Sequence, residues 1–158
     1  MAVEHDANSP FADALAVWHM ANLHDSSARC PPLTIHGSVT VGDQLAAAEA
    51  DASIRRGGDG HTALFDGKSW LSAAAESVTL SPEEWTVCIR MRAQAAGGLL
   101  HTGLFSLLLH EDGLAVGFLG VEEGKGRMYR ELLFSRIQSG QWHDLIVRYA
   151  NGEVSFFS

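Results

Sequence analysis

Positive charge is scarce in this chain of 158 residues, which has 11 lysines and arginines against 19 acidic residues and a formal net charge of −8. Proteins that bind a phosphate backbone neutralise it with clustered lysine and arginine side chains, and the sequence contains no such cluster. The composition therefore excludes duplex nucleic acid as a partner.

Long apolar runs are absent as well. The longest apolar stretch, residues 97–120, is interrupted by two histidines and two acidic residues, so we expect no membrane-spanning segment. The first six residues lack the basic start and the apolar stretch of a secretory signal. We therefore expect a protein that is cytoplasmic as expressed, or a piece of a longer precursor that is exported.

Cysteine is rare, with Cys30 and Cys88 as the two residues of this type. They could form one disulfide, but Cys88 lies in a strand-like segment where a free buried thiol is the simpler interpretation, so we expect both to be reduced. A chain of this length can bury an adequate core without covalent staples. We predict a flexible tail over residues 1–11 and one domain over residues 12–158.

Helical periodicity is limited to residues 44–55, an alanine-rich segment that fits one short surface helix or a loop. Elsewhere, short alternating and β-branched segments are separated by turn signals such as Asn151-Gly152, which is typical of an antiparallel β-sandwich. The predicted strands are 15–20, 33–41, 62–65, 69–73, 85–92, 98–101, 105–110, 114–119, 127–134, 143–149 and 153–157.

Alternation within the predicted strand at 85–92 indicates which side chains are buried. One face carries Trp85 and every second residue up to Met91, whereas the other carries a threonine, a cysteine and two arginines. We expect the first face to form core and the second to meet solvent or a cleft. The strand at 105–110 is apolar on both faces because of Leu108, so we expect both faces to be covered.

Six short segments follow the order and spacing of landmarks in one fold family. They are Ala16-Val17-Trp18-His19-Met20, Asp25-Ser26-Ser27, Leu33-Thr34-Ile35-His36-Gly37, Ala63-Leu64-Phe65-Asp66-Gly67, Trp85-Thr86-Val87 and Trp142-His143-Asp144-Leu145-Ile146-Val147. Together, over about residues 12–157, they resemble laminin-G-like domains with the concanavalin-A-like jelly-roll fold, in particular the accessory modules of bacterial glycoside hydrolases. The resemblance implies an all-β antiparallel sandwich but no single activity, because this fold carries glucanases, lectins, adhesion modules and scaffolds.

The C-terminal segment departs from that family. A strand at 143–149, the Asn151-Gly152 turn and a return strand at 153–157 are followed by Ser158, whereas the family continues with strands that close the sandwich. We therefore expect a jelly roll that is incomplete at its C-terminus and has an open sheet edge. Because an unpaired apolar edge strand is a template for another chain, we expect a homodimer through this edge.

Glycosidase chemistry is not indicated by the acidic residues. Retaining enzymes need two carboxylates roughly 5 Å apart, and on a strand these must occupy alternating positions to share a face. The pairs Glu111-Asp112 and Glu122-Glu123 are adjacent residues in turn segments, and neighbouring strand residues point to opposite faces. We therefore do not expect the chain to hydrolyse glycosidic bonds.

Histidine is frequent for an acidic domain, with 8 residues. Imidazole nitrogen binds zinc, and on a β-sheet the ligands would come from neighbouring strands rather than from one contiguous motif. Three of the histidines have simpler interpretations as tail, loop or core residues. The candidate metal ligands are the other five, His19, His24, His36, His101 and His110.

Two functions of different classes remain open at this point. The resemblance favours a non-catalytic carbohydrate-binding or scaffold module, in which Trp70 contacts sugar and a structural calcium is bound. The histidines and the open edge favour a small zinc-dependent hydrolase of esters or phosphoesters, in which a homodimer gathers histidines around a metal-bound hydroxide. A phosphoester would be polarised by the metal and by Arg90, Arg92 or Arg130.

Overall fold

The computed structural model describes residues 14–44, 60–74, 76–123 and 126–158, with the backbone alone for residues 121–123 and 126–128. Every regular element in these ranges is a β-strand in antiparallel pairing, which confirms the predicted all-β class. The described ranges contain no helix with the length and apolarity needed to cross a membrane.

The chain forms two compact units, Met1–Thr79 and Leu80–Ser158. The predicted tail at 1–11 and nearly all of the alanine-rich segment at 44–55 lie outside the described residues. The single domain over residues 12–158 stays a prediction.

The described part of the first unit has four short strands that form two antiparallel pairs. They are β1 (Thr34–His36), β2 (Val39–Gln44), β3 (His61–Phe65) and β4 (Trp70–Ser72), and β1 pairs with β4 while β2 pairs with β3. The strand predicted at 33–41 is therefore two strands. It breaks because Gly37 has a φ of 82°, a left-handed conformation that turns the chain between β1 and β2.

The strand predicted at 15–20 is wrong, and the segment is irregular. The backbone of Val17 bonds a loop, and the segment meets a strand at its last residue, where the Met20 carbonyl accepts from the Gly42 amide of β2 at 2.8 Å. The Val17 amide donates to the Asp25 carboxylate at 2.7 Å, and the Val17 carbonyl accepts from the Ser26 amide at 2.8 Å. Alternating apolar residues cannot reveal such a competing acceptor, because the pattern reports side chains and not the partners of the backbone.

The second unit is a sandwich of two antiparallel sheets. One sheet has three strands in the order β11-β10-β5, and the other has four in the order β6-β7-β8-β9. The strands are β5 (Glu84–Met91), β6 (Gly97–His101), β7 (Phe105–Leu109), β8 (Leu114–Glu123), β9 (Gly126–Arg136), β10 (His143–Ala150) and β11 (Glu153–Phe157). All seven correspond to predicted strands, with ends that differ by a few residues at most.

The core of the second unit lies between its two sheets. Leu145 and Val147 of β10 are fully buried, and Phe105 and Leu107 of β7 are buried from the opposite sheet. The residues packed around them are Trp85, Val87, Ile89, Met91, Leu109, Ala115, Leu119, Leu132, Phe134, Ile137, Tyr149, Val154 and Phe156. The face predicted from the alternation in β5 is thus the core face.

The strand β7 is covered more on one face than on the other. Phe105, Leu107 and Leu109 are buried in the core, whereas Ser106 and Leu108 on the opposite face are half-buried. Burial of both faces of this strand was expected. The core face is fully buried, and the opposite face is buried in part.

Aromatic rings fill much of this core. Trp85 lies 5.3 Å from Phe105 and 5.8 Å from Tyr149 between ring centroids, and Phe134 stacks on Phe156 at 4.5 Å. Gly117 of β8 makes room for two of these rings. A Cβ atom at Gly117 would lie 2.6 Å from the Phe134 ring and 2.9 Å from the Phe105 ring, closer than packed carbon atoms allow.

We predict that Gly117→Ala destabilises the second unit by about 1–3 kcal/mol, because the added methyl forces aromatic rings out of a close-packed core. Urea denaturation followed by tryptophan fluorescence measures the change. Gly97→Ala is the matched control, since a Cβ at that strand glycine meets no atom within 4 Å. Equal stability of the two variants would contradict this account of the core.

Candidate functional site

The carboxylate of Asp25 organises the loop between Val17 and Cys30. Its Oδ1 accepts from the amides of Val17 at 2.7 Å and Ser27 at 3.0 Å. Its Oδ2 accepts from the Ser27 hydroxyl at 2.6 Å and from the amides of Arg29 and Cys30, each at 2.9 Å. Five donors thus converge on one buried side chain, which fixes the path of the loop.

The pKa of Asp25 shows that these donors hold the carboxylate in its charged form. Burial by itself raises the pKa, but the hydrogen bonds from the Ser27 hydroxyl and from the backbone amides outweigh it and lower the pKa to about 2. Asp25 is therefore ionised at neutral pH with its acceptor positions engaged. This satisfied carboxylate supports the loop and is not placed to react.

The strands β1 and β4 of the first unit carry an aromatic pair in which one ring is exposed. The antiparallel register sets Trp70 of β4 opposite His36 of β1, and their rings stack with centroids 4.8 Å apart and planes 9° from parallel. The indole of Trp70 remains 57 % exposed. The Nε2 atom of His36 lies 2.8 Å from the Ser72 hydroxyl, which fixes the imidazole in its plane.

This aromatic pair presents a flat apolar surface beside polar groups. Thr34 lies opposite Ser72 in the same register and is exposed, so its hydroxyl belongs to the same face. A rigid aromatic plane with a few hydroxyl and imidazole groups at its rim can bind a ligand that has one apolar face and polar edges. The face of a pyranose ring has this character.

The five predicted metal ligands are divided between the two units, with His19, His24 and His36 in the first and His101 and His110 in the second. His19 is half-buried in the irregular segment, and His24 is exposed, with its amide donating to Asn22 Oδ1 at 2.7 Å. His101 and His110 lie at opposite ends of the β6–β7 hairpin, because Ser106 pairs with His101 while Leu109 pairs with Gly97.

Two of these imidazoles make hydrogen bonds or ring contacts with neighbouring side chains. His101 Nδ1 lies 2.7 Å from the Ser106 hydroxyl on the neighbouring strand, and His36 contacts Trp70 and Ser72. Within the ranges that the structure describes, no three His, Cys, Asp or Glu side chains form a group that could hold a metal ion. The metal site stays a prediction, and His36, one of its candidate ligands, stacks on Trp70.

Sequence reasoning missed a cationic–aromatic group in the second unit. The guanidinium groups of Arg90 and Arg92 lie 5.3 and 5.1 Å from the centre of the Trp142 ring. Arg90 also forms an ion pair with Asp144 at 3.1 Å, across from it on β10. The signal was present, because the alternation in β5 placed both arginines on the face opposite the core, but their partner on β10 depends on the register.

Comparisons of the chain with protein-family models, with curated proteins and with solved structures find no match. The structure therefore shows an all-β antiparallel fold with a sandwich in the second unit, and the choice of a family within that class is a matter for proposal.

We predict that Asp25→Asn lowers the free energy of unfolding by about 2–4 kcal/mol at neutral pH, because the amide group would face backbone donors that need an acceptor. The native pKa of about 2 lies below the ordinary value of 3.8, so this stabilisation is present above about pH 4 and is lost as the pH falls through 2. Urea denaturation at several pH values measures both effects.

The difference between the native protein and the Asp25→Asn variant should consequently shrink on acidification. Asp43→Asn is the control, because Asp43 is exposed on β2 and its loss should change stability little at any pH. A difference that stays constant down to pH 2 would show that the carboxylate charge does not stabilise the loop.

Proposed function

We propose that the protein is a non-catalytic carbohydrate-binding module of the concanavalin-A-like lectin type, with Trp70 as its sugar platform. The observation that carries this proposal is the exposed indole of Trp70, held flat against His36 by ring stacking. Soluble proteins bury most of their large aromatic side chains, so a rigid exposed indole is a feature that a ligand explains.

The chemistry of the pair supports a sugar ligand. The C–H groups on one face of a pyranose pack against an aromatic ring, while the hydroxyl groups at its edge need hydrogen-bond partners. Ser72 and Thr34 supply hydroxyl groups on the same face of the two-stranded sheet as Trp70. Because His36 restrains the ring before binding, little conformational entropy is lost when the sugar docks.

The resemblance of the six sequence segments to laminin-G-like modules points to the same class of function and adds a structural calcium ion to the proposal. No observation on the described residues favours the alternative, a zinc-dependent hydrolase of esters or phosphoesters. Carbohydrate binding is therefore the single function that we propose.

We predict that the protein binds at least one soluble polysaccharide and that Trp70→Ala weakens this binding about tenfold or more, which corresponds to about 1.4 kcal/mol of lost stacking. Affinity gel electrophoresis against a panel of neutral and acidic polysaccharides identifies the ligand, and isothermal titration calorimetry gives the affinity. Phe65→Ala is the matched control, because Phe65 is an aromatic of the same unit that is 52 % exposed.

His36 provides a second, graded test of the platform. His36→Ala should weaken binding less than Trp70→Ala, since it leaves the indole present but unsupported, and His36→Phe should keep the stacked ring and most of the affinity. Repeating the titration with a chelator tests the calcium. The proposal fails if no polysaccharide binds, or if Trp70→Ala and Phe65→Ala behave alike.

A further inference from the structure

The sheet formed by β5, β10 and β11 has one face in the core and one face toward solvent. We call the second the outer face of this sheet. Its side chains are ordered in rows across the strands, because paired residues point the same way. From one end to the other, the rows are Arg92 with Trp142, Arg90 with Asp144, Cys88 with Ile146 and Phe157, Thr86 with Arg148 and Ser155, and Glu84 with Ala150 and Glu153.

The middle row of the outer face is apolar and exposed. Phe157 is 57 % exposed, Ile146 is 37 % exposed, and Cys88 is an exposed free thiol. The rows on both sides of it are polar or charged. An apolar centre with a polar rim is the usual anatomy of a protein–protein interface.

The two ends of the outer face differ in charge. At one end, the guanidinium groups of Arg90 and Arg92 both pack over the Trp142 ring. The other end carries the exposed carboxylates of Glu84 and Glu153.

A depression lies at this acidic end. It is open to solvent, has a volume of about 430 Å³ and is lined by Glu84, Trp85, Thr86, Arg148 and Tyr149. Its lining includes Trp85 and Tyr149 of the core side, so the feature that the outer face itself carries at this end is acidic charge, opposite in sign to the arginines at the other end.

We propose that the outer face binds a second copy of the chain, with a two-fold axis that runs across the strands through the middle row. About such an axis, each strand lies over the same strand of the second copy and runs in the opposite direction. Each end of the face therefore lies over the opposite end of the second copy's face. Arg92 then meets Glu84 of the second copy, and Trp142 meets Ala150 beside it. In the same way Asp144 meets Arg148 of the second copy, and Ile146 and Cys88 each meet their own copies at the centre.

The charges select this axis over the other symmetric arrangement. A two-fold axis parallel to the strands would place arginines on arginines and glutamates on glutamates, and such like-charge contacts are unfavourable. The axis across the strands pairs opposite charges at both ends while keeping the apolar row in contact with itself. The face is thus complementary to itself in charge and in its apolar row.

The size of the face sets the expected strength. Three strands about 4.8 Å apart and roughly ten residues long cover about 500 Å² on each copy, which is less than the 800 Å² of a typical stable interface. We therefore expect a dimer that dissociates in the micromolar range, and sedimentation equilibrium is best run from about 10 to 500 µM.

Cross-linking through Cys88 tests the arrangement directly. Packed sheets lie about 10 Å apart, so two Cys88 thiols on the axis are within reach of a bismaleimide with a spacer of about that length. In a Cys30→Ser background, the cross-linked dimer should form, and its yield should fall at high salt. A homodimer through the edge of β11 would hold the two thiols about 24 Å apart and give no product, which would overturn the proposal.

A dimer through the edge of β5 would also bring the two Cys88 thiols together. Two sets of variants distinguish such a dimer from one formed by the outer face. Ile146→Asp, on the central strand, should abolish dimerisation by the outer face and leave an edge contact intact. Leu133→Asp on the other sheet, where Leu133 is 67 % exposed, is the control.

A pair of charge-reversing substitutions provides a test in which loss of dimerisation cannot be explained by misfolding, because the second substitution should restore it. Glu84→Arg should weaken the dimer at least tenfold in Kd, and adding Arg92→Glu to it should restore the affinity by re-forming the pair with its signs reversed. A monomer throughout the concentration range would reject the proposal. So would dimerisation that is unaffected by Ile146→Asp, or a double exchange that fails to restore what Glu84→Arg removes.

Discussion

The alternation of side chains along β10 is the constraint on which the second unit depends. Leu145 and Val147 have no exposed surface and hold the two sheets together. Because successive residues of a strand point to opposite faces, Asp144, Ile146 and Arg148 are fixed on the outside with equal certainty. The alternation along the strand therefore determines both the core and the order of ionic and apolar groups on the outer face. A register shift of one residue would move the core side chains to the outer face and the outer side chains to the core.

Where this rule acts alone, the sequence predicts the fold well. All seven strands of the second unit and the buried face of β5 were expected from the alternation of apolar residues. The rule fails where the backbone has a stronger local partner. The segment at 15–20 alternates correctly but gives its Val17 amide to Asp25, and the segment at 33–41 is divided by one residue with positive φ, Gly37.

The residues of the candidate site could be named from the sequence, but their relative positions could not. Trp70 was expected to meet sugar and His36 to meet metal, and the two predictions were independent because the residues are far apart in sequence. The pairing of β1 with β4 places them ring on ring. Which long-range strands pair, and in which register, depends on the whole energy of the fold, so a single sequence contains the members of such a site without their geometry.

The loop around Asp25 is built almost entirely from main-chain donors, since four of its five hydrogen bonds come from amides and one from the Ser27 hydroxyl. Any amino acid except proline supplies an amide. The exposed side chain of His24 takes no part in these five hydrogen bonds, so its replacement should leave the loop in place. The choice is narrower at Ser26 and Ala28, because the Ser26 hydroxyl donates to the Val17 carbonyl at 3.0 Å and Ala28 has a φ of 56°, which disfavours β-branched residues. Through one acid, the surface chemistry of this loop can therefore vary at selected positions without rebuilding the scaffold beneath it.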